Sequence, residues 1–197
     1  MKVIVFDVAR VVLDFEPLPF LRSYIREEKT VLRVFNALFK SERWLLLDRG
    51  VLLEEDAIQQ ICTENADIAT EIQYAYTHWH SILTPINCTV AFIEECRQKR
   101  HKLYFLSNLH KSTSAFVVKE FAALWQQFEG GIFSCDTGYI KPEKEIFNLL
   151  LEKYNINASE CIYIDDNIEN VKVADDLGMQ GVHFRSGEDL AALHNIG

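Results

Sequence analysis

Lys2-Val3-Ile4-Val5-Phe6-Asp7-Val8-Ala9-Arg10-Val11-Val12-Leu13-Asp14-Phe15 is the stretch on which the reading of this chain turns. Val3 to Phe6 form a short, continuous apolar run rich in β-branched residues, which predicts a strand buried on both faces. Asp7 ends the run. A carboxylate at the carboxyl end of a buried first strand stands where open α/β sheets place their ligands. An isolated aspartate there serves equally well as a turn or helix cap, so the decision lies in the rest of the chain.

Working outward, Glu16 to about Pro85 has a helical texture. Leu18, Leu21 and Ile25, then Val31, Leu32, Phe35, Leu38 and Phe39, recur near the helical period. Arg49-Gly50 makes a break, and Glu54-Glu55-Asp56 opens a further helix with acids in its first turn, where the helix dipole favours them. A last helical run spans roughly 68–82. The reading is an inserted bundle of about four helices at 17–84, with a core made of 1–16 and 85–197.

Beyond Pro85, helix and strand alternate. Strands are expected at 103–106, 131–134, 161–164 and 181–184, and helices around Val90–Cys96 and over 114–125, 142–154 and 168–177. That alternation predicts a parallel, Rossmann-like sheet with helices on both faces.

Composition sets outer bounds. The 197 residues are 49% hydrophobic and 25% charged, enough for one core and a smaller lobe. A net charge of −9 argues against nucleic acid or an anionic membrane as partner. No apolar segment reaches membrane-spanning length and no targeting segment is seen. The five cysteines are scattered and form no Cys-x-x-Cys, which fits reduced thiols in a cytoplasmic protein. A monomer or weak homodimer is expected.

Three more strand ends carry polar groups. Leu103–Leu106 runs into Ser107-Asn108, Ile162–Ile164 runs into Asp165-Asp166-Asn167, and Lys141 stands before Pro142 at a helix start. In a parallel sheet these ends share one edge, so Asp7, Ser107, Lys141, Asp165 and Asp166 can converge. Crowded carboxylates need a hard cation such as Mg²⁺, while a hydroxyl, an amide and an ammonium suit the oxygens of a phosphoryl group. Asp7 is then a candidate nucleophile, forming an aspartyl-phosphate that water hydrolyses.

Phe6-Asp7-Val8-Ala9-Arg10-Val11-Val12, Leu106-Ser107-Asn108, Gly138-Tyr139-Ile140-Lys141-Pro142 and Ile164-Asp165-Asp166-Asn167, in that order, resemble the four motifs of the haloacid dehalogenase-like (HAD) hydrolases. The helical insertion after the first motif resembles the subclass with a helical cap, and the Ser-Asn and Asp-Asp-Asn choices resemble sugar-phosphate (glucose-1-phosphatase-like) phosphatases. The resemblance implies Mg²⁺-dependent hydrolysis of a small phosphorylated metabolite. It makes Asp7, Lys141 and Ser107 catalytic, and gives Ser107, Asn108, Lys141, Ala9 and Arg10 to the substrate phosphate. The metal falls to Asp7, Asp166 and the Ala9 carbonyl, with Asp165 acting on its waters.

One position departs from the pattern. The family's usual second aspartate, two residues after the nucleophile, is Ala9 here. General acid–base help is worth roughly 10²–10⁴-fold, so its loss raises a barrier by about 3–5 kcal/mol. A good leaving group, as in an anomeric sugar phosphate, feels this least. Asp14, Glu16 and His110 are candidates to replace the missing acid. Two other readings stand beside the phosphatase: a 2-haloacid dehalogenase-type hydrolase, and a catalytically impaired member that binds a phosphorylated ligand. In the insertion, Arg43, Trp44, Tyr76, His78 and His80 are candidate substrate contacts.

Overall fold

A computed structural model describes residues 1–193; the last four positions of the core segment read at 85–197 lie outside the described residues. The strands are β1 (Val3–Phe6), β2 (Leu13–Asp14), β3 (Thr84–Pro85), β4 (Lys102–Ser107), β5 (Gly130–Phe133), β6 (Cys161–Asp165) and β7 (Gln180–His183). The helices are α1 (Pro17–Tyr24), α2 (Glu28–Phe39), α3 (Glu42–Asp48), α4 (Glu54–Glu64), α5 (Ala69–His78), α6 (Asn87–Gln98), α7 (Lys111–Glu120), α8 (Ala122–Trp125), α9 (Lys144–Tyr154), α10 (Ile168–Asp176) and α11 (Gly187–Ala191).

Five strands form a parallel sheet in the order β5-β4-β1-β6-β7, so the Asp7 strand is central. Phe6 is level with Phe105 of β4 and with Ile164 of β6. That register puts Asp7, Ser107 and Asp165 at the carboxyl ends of three adjacent strands.

Side-chain alternation explains why β1 is apolar throughout. Ile4 and Phe6 point into one core layer with Leu103, Phe105, Ile162 and Ile164 of the neighbouring strands and Phe92 and Ile93 of α6. Val3 and Val5 point into the opposite layer with Tyr104, Leu106 and Tyr163, covered by Ile146, Phe147 and Leu150 of α9. A strand flanked by helices on both sides has no polar face to offer.

Between β2 and β3 lie α1 to α5, which enclose a third cluster of their own around Leu21, Val34, Leu38, Ile61 and Ile72. The structure corrects the sequence reading here in two ways. Five α-helices stand where about four were expected, the addition being the short α3 just before the Arg49-Gly50 break. The ends of the insertion are pinned by the antiparallel pair β2–β3, with Leu13 opposite Pro85 and Asp14 opposite Thr84. Two residues per strand carry no periodicity, so the pair has no sequence signature. Similarly, the helix read over 114–125 begins earlier and divides at Phe121 into α7 and α8.

Phe147 is fully buried beneath the sheet and meets Tyr163 edge-on, ring centroids 5.2 Å apart. Phe147→Ala is expected to destabilise the fold by about 3–5 kcal/mol, measured by chemical denaturation, whereas exposed Leu53→Ala should change it by less than about 0.5 kcal/mol.

Candidate active site

Asp7 follows β1 directly, and its backbone N–H donates to the Ile164 carbonyl at 2.8 Å, extending the ladder to β6 by one step. Its side chain is buried and accepts from Val8 N–H at 2.6 Å and from Lys141 Nζ at 2.7 Å. Both bonds fall on Oδ1, which leaves Oδ2 for another ligand. Lys141, likewise buried, also reaches Asp165 Oδ2 at 2.7 Å.

Asp165 is fully buried, and both its oxygens are committed. Oδ1 accepts from Asn167 N–H at 2.8 Å, Oδ2 from Tyr163 Oη, and Asn170 Nδ2 lies 3.0 Å from each. Through Oδ2 it anchors the Lys141 ammonium. Asp166 keeps its carboxylate open. Its nearest charged partner is Arg10 Nη1 at 3.9 Å, while its backbone carbonyl is held by His183 Nε2 at 3.0 Å.

The Asn108 amide clasps the backbone of Lys141 from both ends, Nδ2 to the carbonyl at 3.0 Å and Oδ1 from the N–H at 2.8 Å. Its side chain therefore positions the lysine. Ser107 is completely buried and its hydroxyl has no partner among the described residues.

Val8 to Leu13 form a tight turn. Val12 and Leu13 donate to the Val8 carbonyl, and Arg10 donates to that of Leu13. These bonds use the carbonyls of Val8 and Leu13 and not that of Ala9, which stays available as a ligand. Arg10 takes φ +63°, a conformation costly for a residue with a side chain. Its half-exposed guanidinium bonds the Phe15 carbonyl at 3.3 Å and approaches Glu16 at 3.6 Å. A cavity of ≈ 520 Å³ opens beside Arg10 and Asp166.

The proposed substitutes for the missing acid fare differently. Asp14 and Glu16 are exposed at the β2 ribbon. His110 is buried, with Nε2 2.8 Å from Thr113 Oγ1 and Nδ1 3.6 Å from Asp48 Oδ1. Among the insertion residues, Arg43 bonds Gln60 and Glu64 within the helices and His78 bonds the Tyr74 carbonyl, so neither faces the core. Trp44 packs on His110, His80 meets Thr113 at 3.1 Å, and Tyr76 donates to Glu54. Sequence reasoning missed Tyr163 and Asn170, the donors that fix Asp165; the spacing of Asn170, on the first turn of α10, was the available signal.

The electrostatics favour a cation. One oxygen from each of Asp7, Asp165 and Asp166 lies within 4.8 Å of the others. Burial, with Asp165 and Asp166 adding to it against the pull of Lys141, pushes the Asp7 carboxyl up to about 7. Burial and Asp165 likewise raise Asp166. Burial would depress the Lys141 ammonium, but Asp165 and Asp7 outweigh it and the group stays firmly charged. Three carboxylates against one buried ammonium leave two negative charges, which a divalent cation matches. Asp7 Oδ2, the Asp166 carboxylate and the Ala9 carbonyl are the hard oxygen donors with capacity to hold it.

A family model described as haloacid dehalogenase-like hydrolase matches residues 1–178. The chain belongs to that family. Among curated relatives is the sesquiterpene phosphatase astK of Aspergillus oryzae, 24% identical over 183 residues, covering 93% of this chain and 89% of that protein. Among solved structures, the HAD family enzyme bt-2542 of Bacteroides thetaiotaomicron, in complex with magnesium and inorganic phosphate, superposes with a TM-score of 0.75. It is 22% identical, and the match covers 98% of both chains. The L-2-haloacid dehalogenase of Xanthobacter autotrophicus superposes with a TM-score of 0.67 at 20% identity, over 97% of this chain and 81% of that one. These likenesses establish the HAD Rossmann-like fold.

Asp7 titrates near 7 in the metal-free fold against 3.8 ordinarily. Between these values the folded protein holds a proton that the unfolded chain has released, so this contribution to stability declines as pH rises through the interval. In chelator, Tm should therefore be lower at about pH 7.5 than at about pH 5.5, with Mg²⁺ restoring more at the higher pH. Asp7→Asn should raise the metal-free Tm at neutral pH by several degrees, because it removes the cost of burying the charged carboxylate and, with it, the repulsion from Asp165 and Asp166; a lower Tm would contradict this electrostatic account.

Proposed function

We propose that this HAD-like hydrolase is a Mg²⁺-dependent phosphomonoester hydrolase acting on a small phosphorylated metabolite, with sugar phosphates the first class to test. The observation that carries the reading is the Lys141 ammonium 2.7 Å from both Asp7 and Asp165. Asp166 stands beside them, and Ser107 offers a buried hydroxyl without a partner among the described residues.

In this reading the Asp7 carboxylate attacks phosphorus and the bond to the leaving oxygen breaks, giving an aspartyl-phosphate and releasing the alcohol as its oxyanion; water then attacks phosphorus, releasing inorganic phosphate and returning the carboxylate. Lys141 and Ser107 hold the phosphoryl oxygens as charge develops on them. Asp7, Asp166 and the Ala9 carbonyl would hold a divalent cation, which would supply further positive charge to the transferring phosphoryl group. Arg10, at the mouth beside Asp166, is placed to meet the substrate. The inserted helices act as a cap that excludes water.

Ala9 cannot deliver a proton to the leaving oxygen, and His110 is enclosed by Trp44, Trp79 and Thr113. The substrate must therefore carry a good leaving group. Anomeric sugar phosphates meet that condition, and the name of the Aspergillus relative adds prenyl phosphates to the panel.

The dehalogenase reading is favoured by Ala9 and by the likeness to the Xanthobacter enzyme. Against it, attack on a neutral alkyl halide needs no metal, and Asp166 beside Asp7 would repel the departing halide.

A panel of sugar, prenyl and aryl phosphates and 2-haloacids, with Mg²⁺ or chelator, tests the choice. Phosphate release abolished by chelator is the expected result; chelator-insensitive halide release would reject it. Lys141→Ala should lower kcat/KM by about 10²–10³-fold and Asp7→Asn should abolish turnover. Ala9→Asp should speed hydrolysis of poor leaving groups by up to about 10²–10⁴-fold while leaving good ones nearly unchanged.

A further inference from the structure

Asp48, Arg49 and Gly50, at the end of α3, each meet a different point on the core. Asp48 Oδ1 lies 3.6 Å from His110 Nδ1, both residues buried. Arg49 Nη1 donates to the Gly138 carbonyl at 3.0 Å and to Glu143 Oε2 at 3.0 Å, and Nη2 donates to Glu143 Oε1. Gly50, at φ +71°, packs so closely that a Cβ there would stand 2.1 Å from the Cys135 carbonyl oxygen.

The points of contact are not scattered. His110 lies three residues beyond Ser107, and Gly138 and Glu143 bracket Lys141. Glu143 Oε2 also accepts the Ile140 N–H at 3.1 Å, so the carboxylate held by Arg49 shapes the backbone next to the lysine. Asn108 clasps the Lys141 backbone from the other side. A continuous set of contacts thus runs from the inserted helices through Arg49, Glu143 and Ile140 to Lys141 and Asp7.

As a source of stability the fork counts for little, because both side chains are about one-third exposed. As a device for orientation it is well suited. A planar guanidinium bonded to both carboxylate oxygens fixes distance and angle together, which an ammonium cannot do.

Resting on the phosphatase reading above, we propose that Arg49 is a positioning residue: its fork with Glu143 sets the Lys141 loop, so the grip on the phosphoryl group is complete only when the inserted helices are docked. Of the metal ligands only Asp7 touches this set, at its far end through Oδ1; Asp166 and the Ala9 carbonyl stand outside it. Phosphate affinity and metal affinity therefore respond differently to its loss.

The test compares wild type with Arg49→Ala, Arg49→Lys, Glu143→Gln and the double variant Arg49→Ala/Glu143→Gln. Inhibition by inorganic phosphate is measured in saturating Mg²⁺, and Mg²⁺ affinity by calorimetry. Each single change should weaken phosphate inhibition by about tenfold or more, with Mg²⁺ affinity held within about twofold. The double variant should be no worse than the worse single one, since both break one contact. Arg49→Lys should not rescue.

Gly50→Ala, which disturbs the same docking without changing a charge, should give the same split between phosphate and metal, and Glu143→Gln, which preserves side-chain size, guards against loss of fold. Phosphate inhibition unchanged in the variants, effects that multiply in the double variant, or a parallel loss of Mg²⁺ affinity would overturn the proposal. A wild type that fails to bind phosphate with Mg²⁺ would instead remove the phosphatase reading on which it rests.

Discussion

The structure depends on one buried ammonium. Lys141 lies between Asp7 and Asp165, 2.7 Å from each, with almost no access to water. Taking these charges out of solvent is costly, and such a group is tolerable only where geometry is close and every remaining lone pair is satisfied. Around Asp165 the protein meets that condition with Tyr163, Asn167 and Asn170. Around Asp7 and Asp166 it does not, and the burial that raises both carboxyls marks the place where a cation completes the charge balance. The two halves of the site thus differ in kind: one is closed by protein donors, the other left open to ligands.

The sheet supplies the convergence. Because β4, β1 and β6 run parallel and side by side, their ends bring Ser107, Asp7 and the acidic pair together from positions far apart in sequence. The Lys141 loop approaches from outside the sheet, so it has no strand register to fix it. Asn108 and the Arg49–Glu143 fork take over that task. Five helices joined to the core by a two-residue ribbon are well placed to influence such a loop, since they touch it directly at Gly138 and Glu143. Instability at Asp7 and reactivity at Asp7 have the same origin in this account, a carboxylate held where it would prefer to be protonated.

Much of this was legible in the sequence because it rests on periodicity and on strand ends. The apolar run Val3–Phe6, the helix–strand alternation after Pro85 and the polar residues closing each strand all follow from which side chains must be buried. The legible part stops where partners are chosen by tertiary contact. Nothing in Ser107-Asn108 says that the amide turns back to a lysine backbone, and nothing in Asp165-Asp166 says that the first is saturated and the second open. The β2–β3 pair is too short to show a period. Asp48-Arg49-Gly50 reads along the chain as a helix end, and only the fold brings it against the Lys141 loop.

The most direct test is a crystal structure grown at neutral pH with Mn²⁺ and inorganic phosphate, with the metal located by its anomalous signal. The account predicts one ion shared by the Asp7 and Asp166 carboxylates and the Ala9 carbonyl, with phosphate oxygens on Lys141 Nζ and Ser107 Oγ. An ion bound elsewhere, or a phosphate that leaves Lys141 wholly engaged with Asp7 and Asp165, would contradict it.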